Sequence, residues 1–257
     1  MIQFISLTSG SSGNSSLITD GSTTLLIDCG ISGKKLAERL NDASIAPESI
    51  SGVLITHEHT DHTSGIGVIA RRYGLSVYAT EKTFCAMNTG KLSDEQVNII
   101  SAGKMFSVGT IDVQPFSIPH DAADPVGYSF FTAEGKYTLA TDIGFMPESL
   151  FEQIRGSKQI ILESNHDVEM LRYGSYPYYL KQRILSSHGH MSNELTAQVA
   201  LRLAHSGTEN IMLAHLSKEN NTPEIAEITT RNALKANGFD NVGLCVASRY
   251  EITRFAV

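Results

Sequence analysis

A short segment rich in histidine places the strongest constraint on how this chain folds. Six consecutive residues of this segment, directly after an apolar run, contain four potential metal ligands: His57, His59, Asp61 and His62. At the end of a strand, side chains two positions apart point to the same side, so His57 and His59 can bind one ion together. The turn that follows can direct Asp61 and His62 towards a second ion. Surface histidines in a loop would explain one of these residues but not a cluster of this density, so the segment predicts a metal site.

Three further polar residues stand where apolar, strand-like runs end. His120 closes FSIPH, Asp142 closes YTLATD and His215 closes NIMLAH. A single residue of this kind is more often a cap or a turn residue. Because two ions need more ligands than one segment supplies, the shared placement of all three favours a role as metal ligands.

Short strand-like runs alternate with helix-like segments along all 257 residues, without a low-complexity linker or an internal repeat. This pattern predicts one continuous domain over residues 1–257, in which sheets are covered by helices on the outside. The first three runs, at residues 2–7, 15–20 and 23–28, predict antiparallel strands joined by turns. Near the other end of the chain, residues 223–237 predict a helix capped by Thr222, and residues 249–255 predict a strand.

Composition excludes several classes of protein. Hydrophobic residues make up 41% and charged residues 18% of the chain, which is too apolar for a disordered protein. No apolar run approaches the roughly 20 residues of a spanning helix or follows a basic stretch, so we expect neither membrane insertion nor secretion. Three cysteines without regular spacing argue against a disulfide framework and favour the cytoplasm. The net charge of −7 argues against bulk binding of nucleic acid but does not exclude a local basic track.

The candidate ligands, with Asp28 in LLIDCG ahead of them, resemble the pattern of the metallo-β-lactamase superfamily of binuclear metallohydrolases over essentially the whole chain. The resemblance implies an α/β fold, a four-layer αββα sandwich with the metal site at one edge of its two sheets. It also implies two divalent ions, either zinc or manganese, with iron as an alternative. The implied ligands are His57, His59 and His120 for the first ion, Asp61, His62 and His215 for the second, and Asp142 as the bridge. Asp28 would orient the histidine loop without touching the metals.

Two stretches, LESNHD and SSHGHMSN, resemble the phosphodiesterase branch of that superfamily. In that branch a glutamate at a strand end and a histidine before the next helix act together near the metals. The resemblance implies that His190 protonates the leaving oxygen while Glu163 fixes its tautomer. The candidate catalytic residues are Asp61, Glu163 and His190. The alternative, that Glu163 and His190 are only polar residues at a strand end and a helix start, stays open.

Five segments are most similar to the YycJ-like (WalJ) group of that branch, which is associated with 5′-to-3′ DNA exonuclease activity: SLTSGSSGNSS, DCGISGKKLAERL, ESNHDVEML, GHMSN and AHLSKENN. We therefore expect a phosphodiesterase that cleaves DNA from the 5′ end, with hydroxide generated between two metal ions as the nucleophile. Asp142 stands where β-lactam-cleaving members usually have cysteine, which disfavours that reaction. A hydrolase of small phosphodiesters or of thioesters is the alternative, and a metal-binding protein without catalytic activity is a third hypothesis.

A basic and aromatic strip is the candidate surface for DNA. Between Met170 and Asn193 there is no Asp or Glu, whereas four of the nine tyrosines occur there. The candidate contacts are Arg172, Tyr176, Lys181 and Arg183, because cations follow the phosphates of a single-stranded end and rings stack on its bases. A duplex 5′ end is the other form of the substrate, and tyrosines that cover a sheet edge are the alternative. The loop at residues 9–16 offers backbone N–H groups to a phosphate, although a tight hairpin turn explains its composition as well.

Overall fold

The computed structural model describes residues 2–255 and contains, within that range, fourteen strands and nine α-helices. The strands are β1 (Gln3–Thr8), β2 (Ser15–Thr19), β3 (Thr24–Ile27), β4 (Gly52–Leu54), β5 (Val77–Thr80), β6 (Val97–Ile100), β7 (Phe106–Val108), β8 (Ile111–Ser117), β9 (Val126–Thr132), β10 (Gly135–Ala140), β11 (Gln159–Glu163), β12 (Asn210–Ala214), β13 (Gly243–Val246) and β14 (Thr253–Arg254). The helices are α1 (Gly33–Asp42), α2 (Thr60–Thr63), α3 (Ile66–Tyr73), α4 (Glu81–Ala86), α5 (Glu148–Ile154), α6 (Val168–Tyr173), α7 (Tyr178–Ile184), α8 (Asn193–His205) and α9 (Pro223–Ala236).

The described chain divides into two compact units. The first comprises the residues up to Ser117 together with Ala122–Glu134 and Ser248–Arg254, and the second comprises Ile118–Asp121, Gly135–Ala247 and Phe255. The single domain expected over residues 1–257 stays a prediction. Within residues 2–255, no helix combines the length and the apolar character needed to cross a membrane.

The main sheet of the first unit has seven strands in the order β14-β1-β2-β3-β4-β5-β6. Strands β1, β2 and β3 pair antiparallel, which confirms the predicted opening of the fold. From β3 to β6 the pairing is parallel, and Ile27 lies beside Leu54 at the ends of β3 and β4. Because parallel strands end at the same edge, Asp28 and the residues that follow Leu54 leave the sheet side by side.

Helices and a second group of strands bury this sheet within the first unit. Helix α1 begins after Ser32, whose side chain accepts a hydrogen bond from the Lys35 N–H. It buries Leu36 and Leu40 in the same apolar core as Ile66 and Ile69 of α3. Strands β7, β8 and β9 pair antiparallel, and β9 packs towards the main sheet because the Tyr128 hydroxyl donates to the carbonyl of Ile55 at 2.6 Å.

The second unit contains four parallel strands in the order β13-β12-β11-β10. Ala140 pairs with Leu162, and Glu163 pairs with Ala214, so three neighbouring strands end at one edge. This register places Asp142, Glu163 and His215 at or just beyond the carboxyl edge, where ligands of parallel sheets usually bind.

The predicted elements agree with the structure best where a cap marks the boundary. Helix α9 starts at Thr222, whose hydroxyl accepts from the Ile225 N–H, as predicted. The strand expected at residues 249–255 is wrong in extent, since only Thr253–Arg254 pairs with β1. The side chain and backbone of Ser248 bind neighbouring backbone groups there, which favours a turn over a longer strand.

Candidate metal centre

Three candidate site residues adopt a left-handed backbone conformation that side chains rarely take. The φ angles of Asp28, Asp142 and His215 are 58°, 61° and 58°. Each residue directly follows, or lies within two positions of, the carboxyl end of a parallel strand. Such a conformation costs about 1–3 kcal/mol and persists where the surroundings enforce it, which is typical of functional sites.

In the first unit, the buried carboxylate of Asp28 organises the histidine segment. Its Oδ1 atom accepts from the Thr56 N–H at 2.9 Å. Its Oδ2 atom accepts from the Thr56 hydroxyl and from His62 Nδ1, both at 2.8 Å. These bonds reach across 28 and 34 positions of sequence, so Asp28 connects β3 to the turn after β4.

The same bonds determine which ring nitrogen of two histidines carries the proton. A carboxylate only accepts, so His62 is protonated at Nδ1 and, in its neutral form, holds its lone pair at Nε2. The Thr56 hydroxyl uses its hydrogen on Asp28, and therefore accepts from His57 Nδ1 at 3.0 Å. Both Nε2 atoms are thus in the form that binds a metal, with the carboxylate behind them.

The donor atoms of the histidine segment converge. His57 Nε2 lies 3.0 Å from His59 Nδ1, and the Asp61 carboxylate lies 3.6 Å from His62 Nε2. Two nitrogen ligands of a tetrahedral zinc ion are about 3.3 Å apart, from a metal–nitrogen distance of about 2.0–2.1 Å. His57 and His59 therefore present these nitrogen atoms close to the spacing that a single ion requires.

In the second unit, the fully buried carboxylate of Glu163 has a similar but larger role. Its Oε1 atom accepts from His190 Nδ1 at 2.8 Å, from His215 Nδ1 at 2.9 Å and from the Asp142 N–H at 3.1 Å. Its Oε2 atom accepts from the N–H groups of Ile143 and Met191, each at 2.9 Å. Burial alone would raise the pKa of Glu163, but the two histidines hold it well below its ordinary value.

Glu163 consequently sets both histidines in the same tautomer. His190 and His215 donate from Nδ1, so in the neutral form of each ring the lone pair lies at Nε2. The Asp142 carboxylate lies 3.4 Å from His215 Nδ1 and 3.8 Å from His190 Nδ1. Asp142, Glu163, His190 and His215 form a group of donors close enough to hold a metal ion.

His120 is held in the same way by the backbone. Its Nδ1 atom lies 3.2 Å from the carbonyl of Gly189, which leaves the lone pair at Nε2, 3.8 Å from Asp142 Oδ1. Burial lowers the pKa of His120, more than the nearby carboxylates raise it. The neutral ring that a metal requires is therefore the favoured form.

Comparison with known proteins identifies the family of this chain. A family described as "Beta-lactamase superfamily domain" matches residues 23–216. Exodeoxyribonuclease WalJ of Streptococcus pneumoniae serotype 2 is 44% identical over 232 residues, which cover 89% of this chain and 86% of that protein. Exodeoxyribonuclease YycJ of Bacillus anthracis is 41% identical over 240 residues, 93% of this chain and 91% of that protein. The chain belongs to the β-lactamase superfamily.

The predicted fold class of this β-lactamase superfamily member is confirmed. The metallo-β-lactamase fold protein YhfI from Bacillus subtilis matches it with a TM-score of 0.71 over 98% of this chain and 99% of that one, at 14% identity. The fold family implies divalent metal, and the donors fit: His57, His62, His120 and His215 each donate from Nδ1 to a protein oxygen, which leaves Nε2 as the nitrogen for a metal, as is usual for ligating histidines.

Several polar residues of the superfamily member that support the site could not be chosen from sequence alone. Asn193 and Asn221 exchange two side-chain hydrogen bonds at 2.9 Å, and the Ser164 hydroxyl donates to Asn193 at 2.7 Å. Asn165 donates to the carbonyl of the left-handed His215 at 2.8 Å. The segments ESNHD, GHMSN and KENN, which contain these residues, carried the family resemblance in the sequence. The sequence did not show that their asparagines hold the chain in place through hydrogen bonds to other protein groups.

The candidate DNA contacts all lie in the hairpin of α6 and α7 in the second unit. Arg172 forms an ion pair with Glu169 at 2.9 Å, and Arg183 forms one with Asp121. Lys181 donates to the carbonyls of Arg172 and Gly174, so it caps the end of α6. Tyr176 is half-buried, whereas three other tyrosines are exposed by about three quarters: Tyr173 at 78%, Tyr178 at 75% and Tyr179 at 74%.

Proposed function

We propose that this chain is a metal-dependent exodeoxyribonuclease. The observation that carries the proposal is the convergence of histidine and carboxylate donors, with His62 and His190 oriented by buried carboxylates, in a chain 41–44% identical to exodeoxyribonucleases over most of its length. Such a donor set serves hydrolysis, because divalent ions activate water and neutralise phosphate charge.

The proposed centre holds two ions, either zinc or manganese, with iron as the alternative. In this assignment, which follows the superfamily pattern, His57, His59 and His120 would hold the first ion and Asp61, His62 and His215 would hold the second. Asp142 would serve both ions. Asp28 remains outside the coordination shell, where its bonds to Thr56 and His62 support the role proposed for it.

The proposed division of labour gives the departing 3′ oxygen a proton from His190. Its side chain is 19% exposed, whereas that of Glu163 is fully buried, so the ring can meet substrate and the carboxylate cannot. Glu163 keeps Nδ1 protonated, which leaves Nε2 as the atom that carries and releases the catalytic proton. A carboxylate at Nδ1 also compensates the positive charge of the ring while Nε2 holds that proton.

The proposed substrate is DNA, entered from a 5′ end, with the α6–α7 hairpin as its contact. The exposed Tyr173, Tyr178 and Tyr179 favour an unpaired strand, since bases stack on accessible rings for about 1–3 kcal/mol each. We place the enzyme in the cytoplasm, where the free thiols of its three cysteines are usual.

The test of the activity is digestion of end-labelled single- and double-stranded DNA carrying either a 5′ phosphate or a 5′ hydroxyl. Metal-stripped protein with zinc or manganese restored should release nucleotides stepwise from the 5′ end. Asp142→Ala should abolish this release, and Asp240→Ala, the same change at an exposed position, should not. No release by the metal-loaded protein, with turnover of a small phosphodiester or thioester instead, would contradict the proposal.

A second experiment tests the hairpin as the DNA contact. The double variant Arg172→Ala, Arg183→Ala removes two cations and keeps Lys181. Lys181 is left unchanged because it caps the end of α6, so its loss would change the structure of the hairpin as well as its charge. If both cations contact phosphates, the plot of log affinity against log salt concentration becomes less steep, by about 0.7 per removed cation for single-stranded DNA. Arg155→Ala, which removes an exposed cation paired with Glu152, is the control. An unchanged slope in the double variant would place the DNA elsewhere.

A further inference from the structure

The loop between β1 and β2 lies directly on the turn that carries Asp61 and His62. The Asn14 N–H donates to the carbonyl of Asp61 at 2.7 Å, and its own carbonyl accepts from the Gly30 N–H at 2.9 Å. A Cβ atom at Gly30 would stand 1.6 Å from the Asp61 oxygen, so only glycine permits this approach. The backbone therefore holds the buried Asn14 side chain beside two candidate metal ligands.

The orientation of the Asn14 amide follows from one backbone bond. The Gly10 N–H lies 2.9 Å from one terminal atom of the side chain, and a backbone N–H can only donate. That atom is therefore the oxygen. The amide nitrogen then faces Asp61 Oδ2 at 3.4 Å and His62 Nε2 at 3.2 Å.

His62 Nε2 is the atom whose lone pair Asp28 makes available. Without metal, this lone pair accepts one hydrogen of the Asn14 amide. A metal held at His62 Nε2 would use this lone pair, and that hydrogen would then need another acceptor, for which the Asp61 carbonyl, 3.4 Å from the amide nitrogen, offers only a long contact. The other hydrogen stays on the Asp61 carboxylate, whose side chain is 25% exposed, so accessible space lies beside this carboxylate.

We propose that Asn14 contacts the substrate, donating one amide hydrogen to Asp61 and the other to an oxygen of the phosphodiester that is cleaved. The inference rests on the proposed function and adds a residue to it. A neutral amide suits this place, because it binds the anionic oxygen without adding a positive charge that would repel the metal ions.

The test is Asn14→Asp, which keeps the oxygen that accepts from Gly10 and replaces both donor hydrogens by an acceptor. The inhibition constant for inorganic phosphate should rise, and kcat/KM for DNA should fall, each by about 10- to 100-fold. This is the change expected for the loss of one hydrogen bond to a charged oxygen. Zinc affinity, measured by titration of the metal-free protein, should stay equal or increase, because the new carboxylate adds negative charge. Asn41→Asp, the same change at an exposed position of α1, should alter none of these values.

Asn14→Ala gives a second measurement in case the aspartate prevents folding. It removes the same donors, so phosphate binding should weaken by a similar factor. Phosphate inhibition and kcat/KM equal to those of the unchanged protein would overturn the inference, as would a loss of zinc affinity in proportion to the loss of activity. If the unchanged protein degrades no DNA, the proposed function fails, while phosphate binding to the zinc-loaded protein still decides the role of Asn14.

Discussion

Replacing Glu163 by Gln should damage both the stability and the chemistry of the second unit. The carboxylate accepts five hydrogen bonds, three at Oε1 and two at Oε2. A glutamine has one oxygen for both positions. With the oxygen at Oε1, its NH₂ group faces the N–H groups of Ile143 and Met191, and two buried donors lose their acceptor at about 1–3 kcal/mol each.

The opposite orientation has a different consequence. With the oxygen at Oε2, the NH₂ group faces the Asp142 N–H and the two histidines, which can avoid it only by moving their proton to Nε2. The unpaired Asp142 N–H costs about 1–3 kcal/mol, and His190 and His215 lose the Nε2 lone pairs on which their proposed roles depend. We therefore expect the free energy of unfolding to fall by about 2–6 kcal/mol in the first orientation. In the second it should fall by about 1–3 kcal/mol, and metal binding should also weaken.

The measurement is urea unfolding of the metal-free protein, combined with zinc titration and nitrogen NMR of the histidine tautomers. Glu169→Gln is the matched control, since that side chain is 63% exposed and should change stability by less than about 0.5 kcal/mol. If Glu163→Gln unfolds like the control and both histidines keep Nδ1 protonated, the role assigned to the carboxylate is refuted.

Three further predictions follow from the same groups. The pKa of Glu163 in the folded protein lies below its ordinary value of 4.5. The ionised carboxylate therefore stabilises the fold fully above pH 4.5, and this stabilisation is lost as the pH falls towards the pKa of the folded state. The free energy of unfolding should consequently depend less steeply on acidic pH in Glu163→Gln. A thiol reagent at neutral pH should modify the exposed Cys85 quickly and leave Cys29 unmodified, since burial raises the pKa of Cys29 to about 12; equal rates would contradict this. Gly30→Ala should displace the Asp61 turn and lower zinc affinity by at least about tenfold by titration, since the added Cβ overlaps the Asp61 carbonyl.

Sequence alone identified the residues whose chemistry is distinctive. His57, His59, Asp61 and His62 stand so close in sequence that no fold can separate them, and local geometry brings His57 Nε2 within 3.0 Å of His59 Nδ1. Asp142 and His215 were recognised because a polar residue that ends an apolar strand is conspicuous. The fold class followed from these residues through a resemblance, and it is confirmed.

Only the tertiary structure decided how those residues are held. Asp28 reaches Thr56 and His62 across 28 and 34 positions, and Glu163 reaches His190 and His215 across 27 and 52. Such pairs carry no local signal, because parallel strands distant in sequence end at a common edge only after folding.

The strip from Met170 to Asn193 has one local and one distant ion-pair partner. It contains no acidic residue, but Glu169, one position before it, pairs with Arg172 in the same helix, whereas only folding brings Asp121 to Arg183. The sequence determined which chemical groups this protein possesses. The tertiary structure decided which of them meet, and therefore which ring nitrogen carries a proton and which charges are compensated.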